Sequence, residues 1–572
     1  MAFLHFHIPD RLPRVLVYAL TLPVLCATAW IQEAHPQASQ EADPSRIEDQ
    51  LIEREVPSRK PTADDLSLGI AGAGTDEINV PPFILSGVTV EGATAFSGEE
   101  IAATYASLLA TQIGSAELES IAGRITALYR DAGYVLSRAI LPPQDVTTGI
   151  IRIQIIEGYV SHVATDGTVP EYAIKGYASR ITAERPLTLT TLERNMLLIN
   201  DMPGVSLKDA VLSEDEAVQG AHTLALEIGL DRIGGSFFVD NRGSAEVGPV
   251  QAGASVELRN TIGFGDAVSV AGFTVPSEPR ELKLIRIGYA TPIGSSGLQM
   301  SVSGTASWID AGGTLDAVGD ESDLKAVSAS LAFPVIRARE SNLWLSASLD
   351  VRSAEERTDF GTVFDEDLVV LRGSVSGMAA DGWGGRSYVT FRASKGIRLM
   401  NAAKRGDLLL SRVDADPQAA TLTVDVSRYQ QLVDDLLSVT LAGRAQRATD
   451  ALVSSEEFSL GGARFGRGFE YGELTGDDGI AGSIEFTIAP DIELAWVSNP
   501  QIYAFYDTGA VWNRNVVFGD ARQSLSSAGA GIRLTFADDF NAGFELAKPL
   551  DRDSSRTNTD EWQALFFLSG QL

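Results

Sequence analysis

Leu282-Lys283-Leu284-Ile285-Arg286-Ile287-Gly288-Tyr289 and, a few residues on, Leu298-Gln299-Met300-Ser301-Val302-Ser303-Gly304 are the stretches on which the fold turns. In both, apolar side chains alternate with small or polar ones, the period of two expected of a strand with unlike faces. The texture begins at Asp231 and runs to Leu572, with Gly, Asp, Asn and Ser separating segments of about ten residues, among them Ala267-Val268-Ser269-Val270-Ala271-Gly272-Phe273. Sixteen such segments can be placed, near residues 237, 255, 269, 286, 302, 329, 347, 372, 390, 424, 441, 485, 506, 530, 545 and 567. An even number of tilted strands of roughly 9–11 residues is what a closed transmembrane barrel requires. A soluble sandwich or propeller is the competing architecture. Against it stands a polar face rich in Ser, Thr, Gly, Arg and Gln, which suits a wet lumen.

The end of the chain points the same way. Trp562, Ala564, Phe566, Leu568, Gly570 and Leu572 share one face of a final strand, as in outer-membrane proteins, although Leu572 stands where a terminal Phe is usual. At the other end, Arg11 and Arg14 precede the apolar run Val15–Leu20, and Ala27-Thr28-Ala29 offers a cleavage site, so residues 1–29 read as a signal peptide. Cys26 is the single cysteine and would leave with it, removing disulfides, thiolate metal sites and cysteine nucleophiles from the mature chain. A net charge of −31 repels nucleic acid, and a hydrophobic fraction of 44% excludes a disordered chain. His5, His7, His35, His162 and His222 are scattered, and no G-x-S-x-G, H-E-x-x-H or phosphate loop occurs. Neither an enzyme nor a cofactor or metal is expected.

Between the signal and the barrel, residues 30–56 form a polar leader. Within it Ile47, Leu51 and Ile52 share one side of a short, charged helix for which Ser45 is the N-cap. Residues 57–79 read as a flexible linker. Residues 80–163 read as a compact β-α-α-β-β unit, with a helix through Ile121, Ile125, Leu128 and Tyr129 that stops at Gly133. Residues 164–230 read as a second unit, with helices near Tyr172–Ile181 and Thr191–Asn200 and strands near Leu207–Leu212 and His222–Ile228. Residues 231–572 complete a mainly β chain: a 16-stranded antiparallel transmembrane β-barrel preceded by two α+β domains.

Several motifs are specific enough to carry a resemblance. Val90-Glu91-Gly92-Ala93-Thr94-Ala95-Phe96-Ser97, Tyr129-Arg130-Asp131-Ala132-Gly133-Tyr134, Leu141-Pro142-Pro143-Gln144 and Ile156-Glu157-Gly158 follow one another in the first unit. Leu192-Glu193-Arg194-Asn195-Met196-Leu197-Leu198-Ile199-Asn200-Asp201-Met202-Pro203-Gly204-Val205 lies in the second. Phe458-Ser459-Leu460-Gly461-Gly462-Ala463-Arg464-Phe465-Gly466-Arg467-Gly468-Phe469 falls between the eleventh and twelfth segments, and Phe505-Tyr506-Asp507-Thr508-Gly509-Ala510-Val511-Trp512 follows in the barrel. With these the chain resembles the two-partner secretion transporters (TpsB, hemolysin secretion/activation type), which join POTRA domains to an outer-membrane barrel.

The resemblance implies that Arg467, Gly468 and Phe469 lie on a loop folded back into the barrel, where Arg467 faces Asp507 near Gly509. It implies that the helix of Ile47, Leu51 and Ile52 plugs the barrel at rest. Docking would use a POTRA edge or groove, at residues not identified within 80–230. The implied partners are a secreted, β-helical exoprotein of the TpsA kind, outer-membrane lipid and, during biogenesis, the barrel assembly machinery, with the transporter itself a monomer in the Gram-negative outer membrane. A barrel assembly factor of the same superfamily usually carries more POTRA domains, and a passive porin needs none.

Overall fold

The computed structural model describes residues 43–44, 46–48, 50, 68–70, 80–166, 169–492, 497–514, 520–537 and 539–571. The expected signal peptide, Leu51, Ile52 and Leu572 lie outside the described residues. No helix among the described residues is long and apolar enough to cross a membrane.

Sixteen antiparallel strands, from Ile233–Asp240 to Gln563–Gln571, form one closed barrel. Each of the sixteen positions read from the sequence falls within one of them. The two end strands seal the cylinder, from Ser236 opposite Gln571 to Asp240 opposite Phe567, so no edge is left unpaired. Alternation then divides the wall into two chemistries. Val256, Ile287, Val327, Leu371, Phe391, Leu422, Ile502, Ile532 and Phe566 are exposed on the outside, where only lipid would cover them. The inside carries hydroxyl pairs such as Ser301–Ser330 at 2.7 Å and Ser346–Ser374 at 2.6 Å. Strands Glu321–Arg337, Ser341–Thr358 and Gly361–Ala380 exceed the expected length because they run past the apolar belt, where Asp323, Glu355 and Arg357 exchange ion pairs. Short turns such as 294–297, 338–340 and 381–384 join strands at the end nearest the α+β domains, and long loops such as 397–419 and 449–477 lie at the other.

The first α+β domain has a sheet ordered Gly87–Glu91, Ile150–Ile156, Arg138–Ile140, packed on helices Gly98–Ala103 and Ser115–Asp131. Leu118, Ile121, Ile125 and Tyr129 recur every three to four residues and are buried, so one stripe of the longer helix meets the sheet. Three separated motifs converge on Glu157. Its carboxylate accepts the N–H groups of Thr94 (2.7 Å) and Ala95 (2.8 Å), the Thr94 hydroxyl, and the Tyr129 hydroxyl at 2.8 Å. Burial pushes this carboxyl up, but those donors outweigh it and hold it below the usual carboxylate range. The fourth motif is held separately, Gln144 donating to the Arg152 carbonyl oxygen at 2.7 Å.

The second domain has the sheet order Leu68–Ile70, Val205–Glu214, Ala221–Leu230, Tyr159–Thr165, covered by helices Glu171–Ala183 and Leu189–Asn200. Two expectations are corrected here. Strand Tyr159–Thr165 pairs with Ala221–Leu230, so the division between the domains falls just before Tyr159 and not after residue 163. Leu68–Ile70, within the expected linker 57–79, is a strand on Val205–Glu214. Neither pairing is legible locally, because strand partners are chosen by tertiary packing.

Candidate functional site

Strand Val497–Trp512 places Phe505, Asp507 and Gly509 on the lumen side and Tyr506 on the outside. Opposite them, the chain between strands Leu437–Ala448 and Asp478–Ile488 turns back into the barrel as a small hairpin, Phe458–Leu460 against Leu474–Gly476. Phe458, Leu460, Phe465, Phe469, Leu474, Val511 and Leu525 form a compact apolar cluster that gives this loop a core of its own. The ion pair described next is an addition to this packing rather than a substitute for it.

Arg467 meets Asp507 by two parallel bonds, Nε to Oδ2 and Nη2 to Oδ1, both 3.0 Å. The backbone N–H groups of Gly466 and Arg467 also donate to Oδ2, at 3.3 and 3.0 Å, and the Ser483 hydroxyl to Oδ1 at 2.7 Å. Gly466 has φ +105°, a conformation that costs glycine little and turns both N–H groups to one oxygen. Asp507 is fully buried, and this set of donors replaces the water it has lost. The same guanidinium donates to Glu485 and to Ser483, and lies 3.5 Å from the centre of the Phe505 ring. The planar fork of arginine reaches all of these at once, which the compact ammonium of lysine cannot.

Gly468 and Gly509 are places of close approach. A Cβ on Gly468 would lie 3.0 Å from wall atoms of Lys548, Pro549 and Ser527, and one on Gly509 would lie 2.6 Å from the Leu460 side chain. Phe469 is buried in the loop cluster. The five loop and wall residues singled out in the sequence therefore meet in one place.

The sequence reading missed the outer ring of charges. Glu485 also takes two bonds from Arg533, 2.6 and 3.0 Å, and Glu545 takes Tyr503 and Arg242, each at 2.9 Å. The available signal was parity: once Asp507 is set inward, the register that pairs it with Ser483 also turns Glu485 inward.

Residues 44, 46–48 and 50 are helical. Pro44 is already in the helix, a position its fixed φ favours, which puts Asp43 at the N-cap position; the expected N-cap, Ser45, lies outside the described residues. Ile47 is 1% exposed and packs with Phe273, Leu284 and Ile309 of the wall and with Val247, Val275 and Leu315 of the long-loop end. Asp43 accepts from Ser454 at 2.6 Å, Arg46 reaches Glu457 at 3.4 Å, and Glu48 accepts from Arg352 at 3.3 Å. Glu457 is shared, since Arg412 also donates to it at 2.6 Å. Among the described residues no group of three or more His, Cys, Asp or Glu is placed to hold a metal ion.

Residues 229–534, more than half of the chain, match the family described as haemolysin secretion/activation protein ShlB/FhaC/HecB, and residues 83–158 match the POTRA domain, ShlB-type. The heme/hemopexin transporter protein HuxB of Haemophilus influenzae is 24% identical over 484 residues, 82% of this chain and 83% of that protein. The outer membrane transporter CdiB of Escherichia coli is 24% identical over 579 residues, 94% of this chain and 92% of that one. In structure, CdiB from Escherichia coli aligns with a TM-score of 0.72 at 20% identity, covering 95% of this chain and 100% of that one. CdiB from Acinetobacter baumannii aligns with a TM-score of 0.63 at 16% identity, covering 92% and 97%. The structural likenesses speak for the fold, and the match across the barrel for the family. The chain belongs to the haemolysin secretion/activation protein family, outer-membrane transporters that pass a partner protein outward through a 16-stranded barrel.

Proposed function

We propose that this chain receives one secreted, β-helical exoprotein on α+β domains that stand in the periplasm, and passes it unfolded through the barrel to the cell surface. The observation that carries the reading is what fills the lumen. A loop and a helical segment of the chain's own sit inside the wall, tied to it and to each other by charged contacts: Arg467 to Asp507 and Glu48 to Arg352 on the wall, Arg46 to Glu457 between segment and loop. Such contacts are strong while sheltered, and water entering the lumen can replace them. The lumen contents are therefore built to be released, which a permanent wall would not need. On this reading Arg467, Gly468, Phe469, Asp507 and Gly509 are the loop anchor, and residues 44–50 are a plug. Docking proceeds by strand addition, main-chain bonds supplying affinity without demanding one sequence. No nucleotide motif is present in the sequence, and folding of the exported chain outside supplies direction. The barrel is a monomer in outer-membrane lipid and is inserted by the cell's barrel assembly machinery.

The test compares proteins in the culture medium of cells with and without the gene. Loss of one large secreted protein is the expected result. General depletion of outer-membrane proteins would assign the chain to barrel assembly instead.

A further inference from the structure

The sheet of the second α+β domain would end at strand Val205–Glu214, but three residues of the chain's own linker lie on that edge. Leu68, Gly69 and Ile70 run parallel to it, in register with Ala210, Val211 and Leu212. This is strand addition within one molecule, and it shows that the edge accepts an extended chain. Among the described residues the cover is partial: three residues meet a strand of ten. Near the start of that strand the Leu207 N–H is satisfied from within the domain, by Asn200 Oδ1 at 2.8 Å. Because water competes for each backbone bond, so short an occupant is held weakly, and a longer extended segment pairing along more of the edge displaces it.

The equivalent edge of the first domain offers less. On its sheet edge Arg138–Ile140, the Ala139 N–H already donates to Thr126 Oγ1 at 3.0 Å, and Arg138 is held by Glu214 at 2.7 and 2.9 Å. The position of the occupant in the sequence matters too. It lies on the segment that joins the helical residues 44, 46–48 and 50 in the lumen to the first domain, so guarding the edge and filling the lumen belong to one stretch of chain.

We propose that the edge of Val205–Glu214 docks an extended segment of the exported protein, and that Leu68–Ile70 is its resting intramolecular occupant. The inference rests on the transport reading above and names the surface within it.

The test uses the full chain carrying Cys26→Ser with Gly69→Cys and Val211→Cys. These positions are register partners, and Val211 is 41% exposed; neighbouring strands lie about 4.8 Å apart, within disulfide reach. The readout is the protein that disappears from the medium when the gene is deleted. Oxidation should lower its secretion at least tenfold, with recovery on adding reductant and with the barrel present in the membrane throughout. As a second measurement, a labelled synthetic peptide of residues 64–74 should bind purified full-length Leu68→Pro/Gly69→Pro protein at least fivefold more tightly than the unaltered protein, because the edge is then open. Equal peptide binding overturns the inference. So does normal secretion from the oxidised protein; if deleting residues 80–158 still stops export, docking lies elsewhere and transport stands. If gene deletion removes no protein from the medium, the transport reading fails and the inference falls with it.

Discussion

Arg467 is the residue on which the lumen contents turn, because its partners are buried carboxylates. Removing one member of a buried pair leaves the other charged and unsolvated, at a cost of about 3–5 kcal/mol. Arg467→Ala and Asp507→Ala should leave the barrel in the membrane but reduce the exported protein in the medium at least tenfold. Arg467→Lys should restore little, since it cannot bridge Asp507, Glu485 and Ser483 together; normal secretion by all three variants would reject the anchor. Gly509 tests the packing side of the same contact. Gly509→Ala puts a methyl against Leu460, and overpacking of this kind costs about 1–3 kcal/mol. Leu460→Ala in the same chain should recover part of the lost export, and a double variant no better than the single would mean that the two do not touch in the working protein.

At the scale of elements, the helical residues 44, 46–48 and 50 and the loop 449–477 are held to each other as well as to the wall. Ser454, Glu457 and Thr475 of the loop all contact Asp43 or Arg46. Glu457 stands between Arg46 and Arg412, so it would keep a cationic partner without the helix. Deleting residues 45–55 should raise single-channel conductance severalfold in planar bilayers, and unchanged currents would remove the plug. The helix was legible in outline from Ile47 and its charged neighbours. Its start was not, because Pro44 reads as punctuation in the sequence and lies inside the helix in the folded chain.

For the whole molecule, the second α+β domain is fastened to the short-turn end of the barrel by charge. Arg337 holds Asp201 by two bonds of 2.7 Å, Arg339 approaches Glu193 at 3.3 Å, and Arg194 donates to the Pro334 carbonyl oxygen at 2.7 Å. Asp201→Arg should cut export severalfold by setting two arginines face to face, and Asp201→Arg with Arg337→Asp should return much of it. Failure of the exchange to recover any export would place the defect in folding of the domain and not in its attachment.

Sequence alone determined the architecture of this protein, because a strand with one wet and one apolar face writes its period of two into the residues it needs. Through the resemblance its motifs carry, it also marked Arg467, Gly468, Phe469, Asp507 and Gly509, the residues at which the folded-back loop meets the wall. What only the tertiary structure decided were pairings between distant segments. Leu68–Ile70 becomes a strand because an edge is there to receive it, Tyr159–Thr165 joins the second sheet because of where Ala221–Leu230 lies, and Glu485 and Arg533 meet Arg467 because the barrel register turns them inward. Local chemistry sets what each segment can form, and the closing of the barrel and the sheets selects which partner it meets.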